Sequence, residues 1–153
     1  MPQLSMHSPV GDLSVSEENG VIVSLDWGWG RDQEKTPVLK EAIRQLNEYF
    51  DGRLKEFNLP LGPMGTQFQE NVWSQMNEIP YGKVRTYADI AKRLKSSARA
   101  VGGACGRNLI PILIPCHRVV AANGGLGGYS GDGGLQTKTA LLTLEGCEAF
   151  SAE

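Results

Sequence analysis

In the first part of the chain apolar and polar positions alternate, which places side chains on two faces of an extended backbone. Short strands are therefore predicted at Gln3 to Ser8 and Leu13 to Ser16, around Pro9-Val10-Gly11-Asp12. Asn19-Gly20 is a hairpin signal before Val21-Ile22-Val23-Ser24-Leu25, because both residues tolerate positive φ. From Thr36 to Phe50 the spacing turns helical, with Val38, Leu39, Ala42, Ile43, Leu46, Tyr49 and Phe50 on one broad face and Gly52 as a stop. Pro60, Gly62, Pro63 and Gly65 mark Leu59 to Gly65 as a linker.

Beyond the linker, Thr66-x-x-Gln69 has the form of a capping box, and Phe68, Val72, Trp73, Met76 and Ile79 make one apolar helical stripe ended by Pro80-Tyr81-Gly82. Thr86-x-x-Asp89 opens a short helix with Ile90, Ala91 and Leu94 inward, and Ser96-Ser97 caps another that runs to about Cys105. Two short helices across a tight turn read as helix-turn-helix. The apolar run Ile110 to Ile114 leads into Pro115-Cys116-His117-Arg118 and Val119-Val120, taken as extended. A glycine-rich loop spans Gly124 to Gly134, and a last helix runs from about Leu135 to Glu145. The pattern predicts an α/β N-terminal domain over residues 1–62, a small antiparallel sheet plus helix. A mainly α C-terminal domain with a winged-helix-like helix-turn-helix follows over 63–153.

Composition changes this picture little; the distribution of charge changes it more. The 153 residues carry a formal net charge of −2, which suits no nucleic-acid binder as a whole. Between Lys83 and Arg118, however, eight basic residues face the single acid Asp89, a local excess of +7 that leaves −9 on the remainder. A segregated basic block of this kind is what phosphate contact requires, although it also describes a solvated helical face. No apolar run reaches the length of a membrane span and the N-terminus lacks a secretory pattern, so a cytoplasmic protein with no membrane partner is expected. Three cysteines and two histidines without metal spacing give neither a disulfide framework nor a metal site, and no cofactor is expected.

Cys116 is the candidate for chemistry. A thiol is a useful nucleophile only as thiolate, which an adjacent imidazole or cation promotes, and His117 and Arg118 follow it directly. Neighbours in an extended strand point to opposite faces, so a bridging water between Cys116 and His117 is a natural expectation. Glu145 could orient His117, with Lys138 on nearly the same face of the last helix. Taken alone, Cys116 reads as well as a buried small hydrophobe.

The surroundings alter that balance. The chain resembles the O6-alkylguanine-DNA alkyltransferase family through Arg99-Ala100-Val101-Gly102-Gly103-Ala104, Asn108 and above all Pro111-Ile112-Leu113-Ile114-Pro115-Cys116-His117-Arg118-Val119-Val120. Phe68-Gln69-x-x-Val72-Trp73, Ile79-Pro80-Tyr81-Gly82-Lys83-Val84, Gly128-Tyr129-Ser130-Gly131 and Leu141-Leu142-x-x-Glu145-Gly146 extend it over about Gly65 to Gly146. The resemblance implies single-turnover, irreversible repair of double-stranded DNA containing O6-alkylguanine, and of O4-alkylated thymine, with the alkyl group ending on Cys116. It makes His117 the base acting through water, Glu145 its orienting partner, Tyr87 the proton donor to the leaving guanine, and Lys138 the support of Tyr87.

Because O6 is hidden inside a duplex, the nucleotide must be flipped out. The resemblance makes Arg99 the finger that fills the gap, on a helix whose Ala98, Ala100 and Gly102, with Thr86 nearby, meet a minor groove that is read almost independently of sequence. It puts Val119, Tyr129 and Ser130 at the base pocket and makes Asn108 the hinge that links the helix pair to the cysteine loop. A monomer is expected, with cooperative binding along DNA left open. Cys105 and Cys147 are expected to be packing thiols, and Asp132 lengthens the loop after Ser130.

Rival readings are weaker. Alkyltransferase-like proteins that flag lesions lack the reactive cysteine. A helix-turn-helix regulator would present polar side chains to the major groove, where this helix has alanine and glycine. A cysteine hydrolase would need a base from a distant segment and an oxyanion hole, which nothing here marks. The glycine-rich loop lacks the GK[ST] ending of a phosphate cradle.

Overall fold

A computed structural model describes residues 1–123, 125–129 and 133–147, in two compact units, Met1–Met64 and Gly65–Glu153. In the first, β1 (Gln3–Met6), β2 (Leu13–Glu18) and β3 (Val21–Trp27) form an antiparallel sheet in the order β1-β2-β3. Asn19 and Gly20, with φ of 55° and 82°, make the turn between β2 and β3, where the mirror-image hairpin turn demands left-handed backbone. Helix α1 (Pro37–Phe50) covers the sheet. Thr36 caps it, accepting from the Leu39 amide and donating its hydroxyl proton to Glu17 on β2. Leu39, Ala42, Leu46 and Tyr49 of α1 are buried, as are Leu13, Val15, Ile22 and Leu25 of the sheet; each Leu, Ile or Val among them contributes roughly 1.5–3 kcal/mol.

Two details depart from the pattern. Gln45 sits within the buried face of α1, where its amide pairs with both backbone groups of Asn58 at 2.9 and 3.0 Å. The stretch expected to be a plain linker is partly anchored: Ile22 on β3 exchanges backbone hydrogen bonds with Pro60 and Gly62, both 2.8 Å. An outer strand leaves backbone groups unpaired, and this segment takes them up.

In the second unit, α2 (Gln67–Asn77) opens with the predicted Thr66–Gln69 capping box, and Trp73 reaches from it to donate to the Ala104 carbonyl at 2.9 Å. Next come β4 (Arg85–Thr86), α3 (Tyr87–Leu94) and α4 (Ala98–Gly106). Helix α3 is capped reciprocally by Thr86 and Asp89, and Lys95, left-handed at φ 55°, ends it before Ser97 caps α4. These two helices are the helix-turn-helix pair. A 3₁₀ turn over Cys116–Arg118, β5 (Val119–Val120) and α5 (Leu135–Leu144) complete the unit. Strand β5 pairs in parallel with β4, Arg85 opposite Val119 and Thr86 opposite Val120, a link between distant segments that no local pattern announces. Among the described residues no helix is long and apolar enough to cross a membrane.

Candidate active site

Asn108 holds the segment before the cysteine. Its Nδ2 donates to the Ile114 carbonyl and its Oδ1 accepts from the Ile110 amide, both at 3.0 Å, which folds Ile110 to Ile114 into a buried loop with Ile112 left-handed at φ 73°. A β-branched residue in that region is strained, and the packing around it must hold it there. The chain then enters the 3₁₀ turn, not the extended strand that was expected, so the alternating-face argument does not govern Cys116 and His117. Burial pushes the Cys116 thiol up, while a hydrogen bond from Asn108 and the charge of Lys138 act in the opposite sense.

His117 has no solvent exposure, and its Nε2 lies 2.7 Å from Oε2 of Glu145 at the C-terminus of α5. Arg118 grips the same carboxylate from Nε at 2.8 Å and Nη2 at 3.0 Å, and its Nη1 donates to the Ile79 carbonyl at 2.7 Å. Burial alone would push the Glu145 carboxyl up, but the hydrogen bonds and charges of His117 and Arg118 outweigh it and hold the group at about 2. Burial pushes His117 below its usual 6.5 against the pull of Glu145, so the ring is neutral at neutral pH. An ionised carboxylate only accepts, hence Nε2 carries the proton and Nδ1 keeps its lone pair. That Nδ1 is buried without a hydrogen-bond partner among the described residues.

The structure reassigns one residue. Arg118, read from sequence as a cation beside the thiol, is spent on Glu145 and on Ile79, and so acts on the histidine's partner instead.

Lys138 is fully buried and its three ammonium protons meet three carbonyls, those of Val119 (2.6 Å), Leu126 (2.5 Å) and Gly128 (2.9 Å). Burial pulls its pKa down to about 8. It thereby ties β5 to the following loop, whose Gly128 carbonyl also receives the Tyr87 hydroxyl at 3.5 Å, while its Nζ stands 5.8 Å from the centre of the Tyr87 ring. Burial raises the pKa of Tyr87, which keeps the phenol protonated.

A cavity of about 570 Å³ opens beside these groups. Tyr87, Cys116, Gly128 and Tyr129 line it together with Ala98, Arg99, Gly102, Cys105 and Gly106 of α4. Cys116 thus stands in the wall of a chamber large enough for a nucleobase, with Arg99 exposed at its border. Ala100 lies on the exposed face of α4 outside the cavity lining. Thr86 is committed to its helix cap, and Val119, fully buried, contributes its carbonyl to Lys138 and its backbone to β5. Ser130 and Asp132 lie outside the described residues.

Sequence reading did not find two of these residues in their roles. Cys105, expected as packing, is buried with its thiol pushed up to about 12, yet it forms part of the cavity wall. Its spacing from Ala98 and Gly102 puts all three on one helical face, a signal that was available. The role of Arg118 had no such signal, because Glu145 and Ile79 are distant in sequence.

Two family models match the chain: the ribonuclease-like domain of 6-O-methylguanine DNA methyltransferase over residues 4–63, and the DNA binding domain of the same family over residues 67–147. The methylated-DNA--protein-cysteine methyltransferase of Methanosarcina acetivorans is 42% identical, over 91% of this chain and 94% of that protein. The constitutive enzyme of that name from Bacillus subtilis is 44% identical, over 90% of this chain and 91% of its own length. Among solved structures, Mycobacterium tuberculosis OGT in complex with DNA superposes with a TM-score of 0.86 at 39% identity, covering 99% of this chain and 96% of that one. Matched along both of its units and by relatives across nine-tenths of its length, the chain belongs to the 6-O-methylguanine DNA methyltransferase family.

Proposed function

We propose that this chain repairs DNA by transferring an alkyl group, typically methyl, from O6 of guanine to Cys116, once and irreversibly; O4 of alkylated thymine is a second substrate of the same chemistry. DNA is the partner, in keeping with the DNA binding domain matched over residues 67–147. The observation that carries the reading is the placement of Cys116 in the wall of a base-sized cavity, next in sequence to a buried neutral histidine whose second nitrogen is held by Glu145.

In this mechanism Nδ1 of His117 takes the thiol proton through a water, and the sulfur attacks the alkyl carbon in line with the breaking bond to O6. A thioether forms at Cys116 and the electron pair leaves with the guanine. Tyr87 gives a proton to a ring nitrogen as that bond breaks, which makes the base a better leaving group, and Lys138 beside the phenol stabilises the transient negative charge. Arg99 enters the duplex through the minor groove as the target nucleotide turns into the cavity, while Ala98, Ala100 and Gly102 permit close approach of α4. The base lies against Tyr129; Val119 and Ser130 are assigned to the base pocket by the family resemblance alone, and Asn108 transmits the position of α4 to the cysteine loop. The protein works as a cytoplasmic monomer.

Mass spectrometry after incubation with a methylated duplex tests this directly. One methyl group per protein on Cys116 is expected, none with an unmethylated duplex and none in Cys116→Ser; repeated turnover or an adduct elsewhere would overturn it. Arg99→Ala should slow reaction with duplex DNA while leaving reaction with a free O6-alkylated base nearly intact. Equal losses on the two substrates would remove Arg99 from the flipping step.

A further inference from the structure

The turn after α2 makes contacts that the alkyl-transfer chemistry does not itself call for. Of its four residues, Ile79, Tyr81 and Gly82 meet either Arg118 or the end of α5. The Ile79 carbonyl accepts from Arg118 Nη1 at 2.7 Å, and the Tyr81 hydroxyl donates to the carbonyl of Leu144 at 3.2 Å, one residue before Glu145. The Arg118 guanidinium carbon lies 5.8 Å from the centre of the Tyr81 ring, within the range of a cation–π contact. Gly82 is left-handed at φ 82°, and a Cβ there would stand 3.2 Å from the backbone oxygen of Glu145. None of the four residues lines the cavity that holds Cys116.

Glu145 needs such support. It is the residue that ends α5, where the unpaired carbonyls carry the negative end of the helix dipole and repel a carboxylate. Its side chain is buried, so the group is tolerable only while Arg118 and His117 face it. Arg118 is in turn a long side chain that could pair in other rotamers. Tyr81 limits it by lying against the guanidinium and fixes the backbone of the helix end at the same time.

We infer that Tyr81 is a positioning residue for alkyl transfer: with the rest of the Ile79–Gly82 turn it holds Arg118 and the end of α5 so that the Glu145 carboxylate stays on Nε2 of His117. This rests on the reading of Cys116 as alkyl acceptor. The action is indirect, since Tyr81 touches neither the thiol nor the cavity. Loosening the turn lets the carboxylate leave Nε2, the tautomer with a free lone pair on Nδ1 loses its advantage, and the thiol loses its base.

The test is single-turnover transfer from an O6-methylguanine duplex across protein concentration, paired with NMR of the His117 Nε2-bound proton in the full chain. Tyr81→Ala should lower the maximal transfer rate by about tenfold, short of the roughly hundredfold that a full 1 Å misplacement costs, with the half-saturating concentration unchanged and the His117 proton signal shifted or lost. Tyr81→Phe keeps the ring under Arg118 and should recover most of the rate and the signal. Should Tyr81→Ala fail to fold, Gly82→Ala presses on the Glu145 backbone and should produce the same pair of effects in weaker form. An unchanged maximal rate with the His117 signal in place overturns the inference, as does a loss confined to DNA affinity. If the unaltered protein transfers no methyl group, the repair reading fails, and the His117 signal in the variants still decides the positioning role.

Discussion

In the N-terminal unit the buried polar side chains are Ser5, Ser14, Ser16, Gln45 and one carboxylate, Glu17; their hydrogen bonds run to backbone, cap, hydroxyl and side-chain amide groups and, from Gln45, to the carboxylate of Glu41. Among the described residues of the C-terminal unit the buried set is Asn108, His117, Arg118, Thr137, Lys138 and Glu145, of which four are ionisable: His117 and Arg118 share the Glu145 carboxylate, and the charge of Lys138 acts on the Cys116 thiol. Burying ions costs several kcal/mol each unless they are fully paired, so a fold does not accumulate them for stability alone. The first unit uses buried polarity to tie down chain ends and caps. The second uses it to set protonation states, a neutral His117 against an ionised Glu145, beside a protonated phenol.

Removing one member of the ionic set is the most forceful way to test this contrast. Glu145→Gln leaves Arg118 buried against a neutral amide and should cost roughly 3–5 kcal/mol in urea denaturation, as broken buried pairs do, together with most of the transfer rate. A loss below about 1 kcal/mol, the level of an exposed pair, would show that the cluster is solvated in solution.

Acid titration should expose the same difference. Glu145, at about 2 in the folded protein against an ordinary 4.5, contributes stability that is complete above 4.5 and is lost as pH falls towards 2. His117, depressed below 6.5 by burial, acts in the same sense, because the unfolded chain takes up its proton first as pH falls through 6.5. The urea midpoint is therefore expected to decline from about neutrality downward, and Glu145→Gln should flatten the part of that decline below 4.5. A midpoint constant from neutrality into that acid range would contradict both assignments.

Smaller effects belong to the N-terminal unit. Thr36→Ala removes the cap of α1 and should cost about 1 kcal/mol. Gln45→Ala releases the backbone of Asn58 to solvent at a cost also of about 1 kcal/mol. Neither should alter the transfer rate measured well below the unfolding transition. A specific loss of rate in either variant would end the division of labour between the units.

The chain order of elements was legible because each depends on neighbours a few residues apart. Thr66 with Gln69, Thr86 with Asp89 and Asn19 with Gly20 satisfy backbone groups locally, and the structure has all three where the pattern put them. Cys116, His117 and Glu145 were legible as a group through the family resemblance, since periodicity alone leaves Cys116 a buried thiol. What only the tertiary structure decided depends on pairs far apart in sequence. The parallel pairing of Arg85 with Val119, the anchoring of Ile22 to Pro60 and Gly62, and the commitment of Arg118 to Glu145 are all of this kind. So is the conformation at Cys116 itself: the residues around it permit a strand, and it is the Asn108 clamp and the buried loop before it that turn the chain there. Local sequence determines which hydrogen bonds a segment can make by itself. Where a buried cation finds its anion, and which ring nitrogen is left with a lone pair, is settled only when distant segments exclude water together.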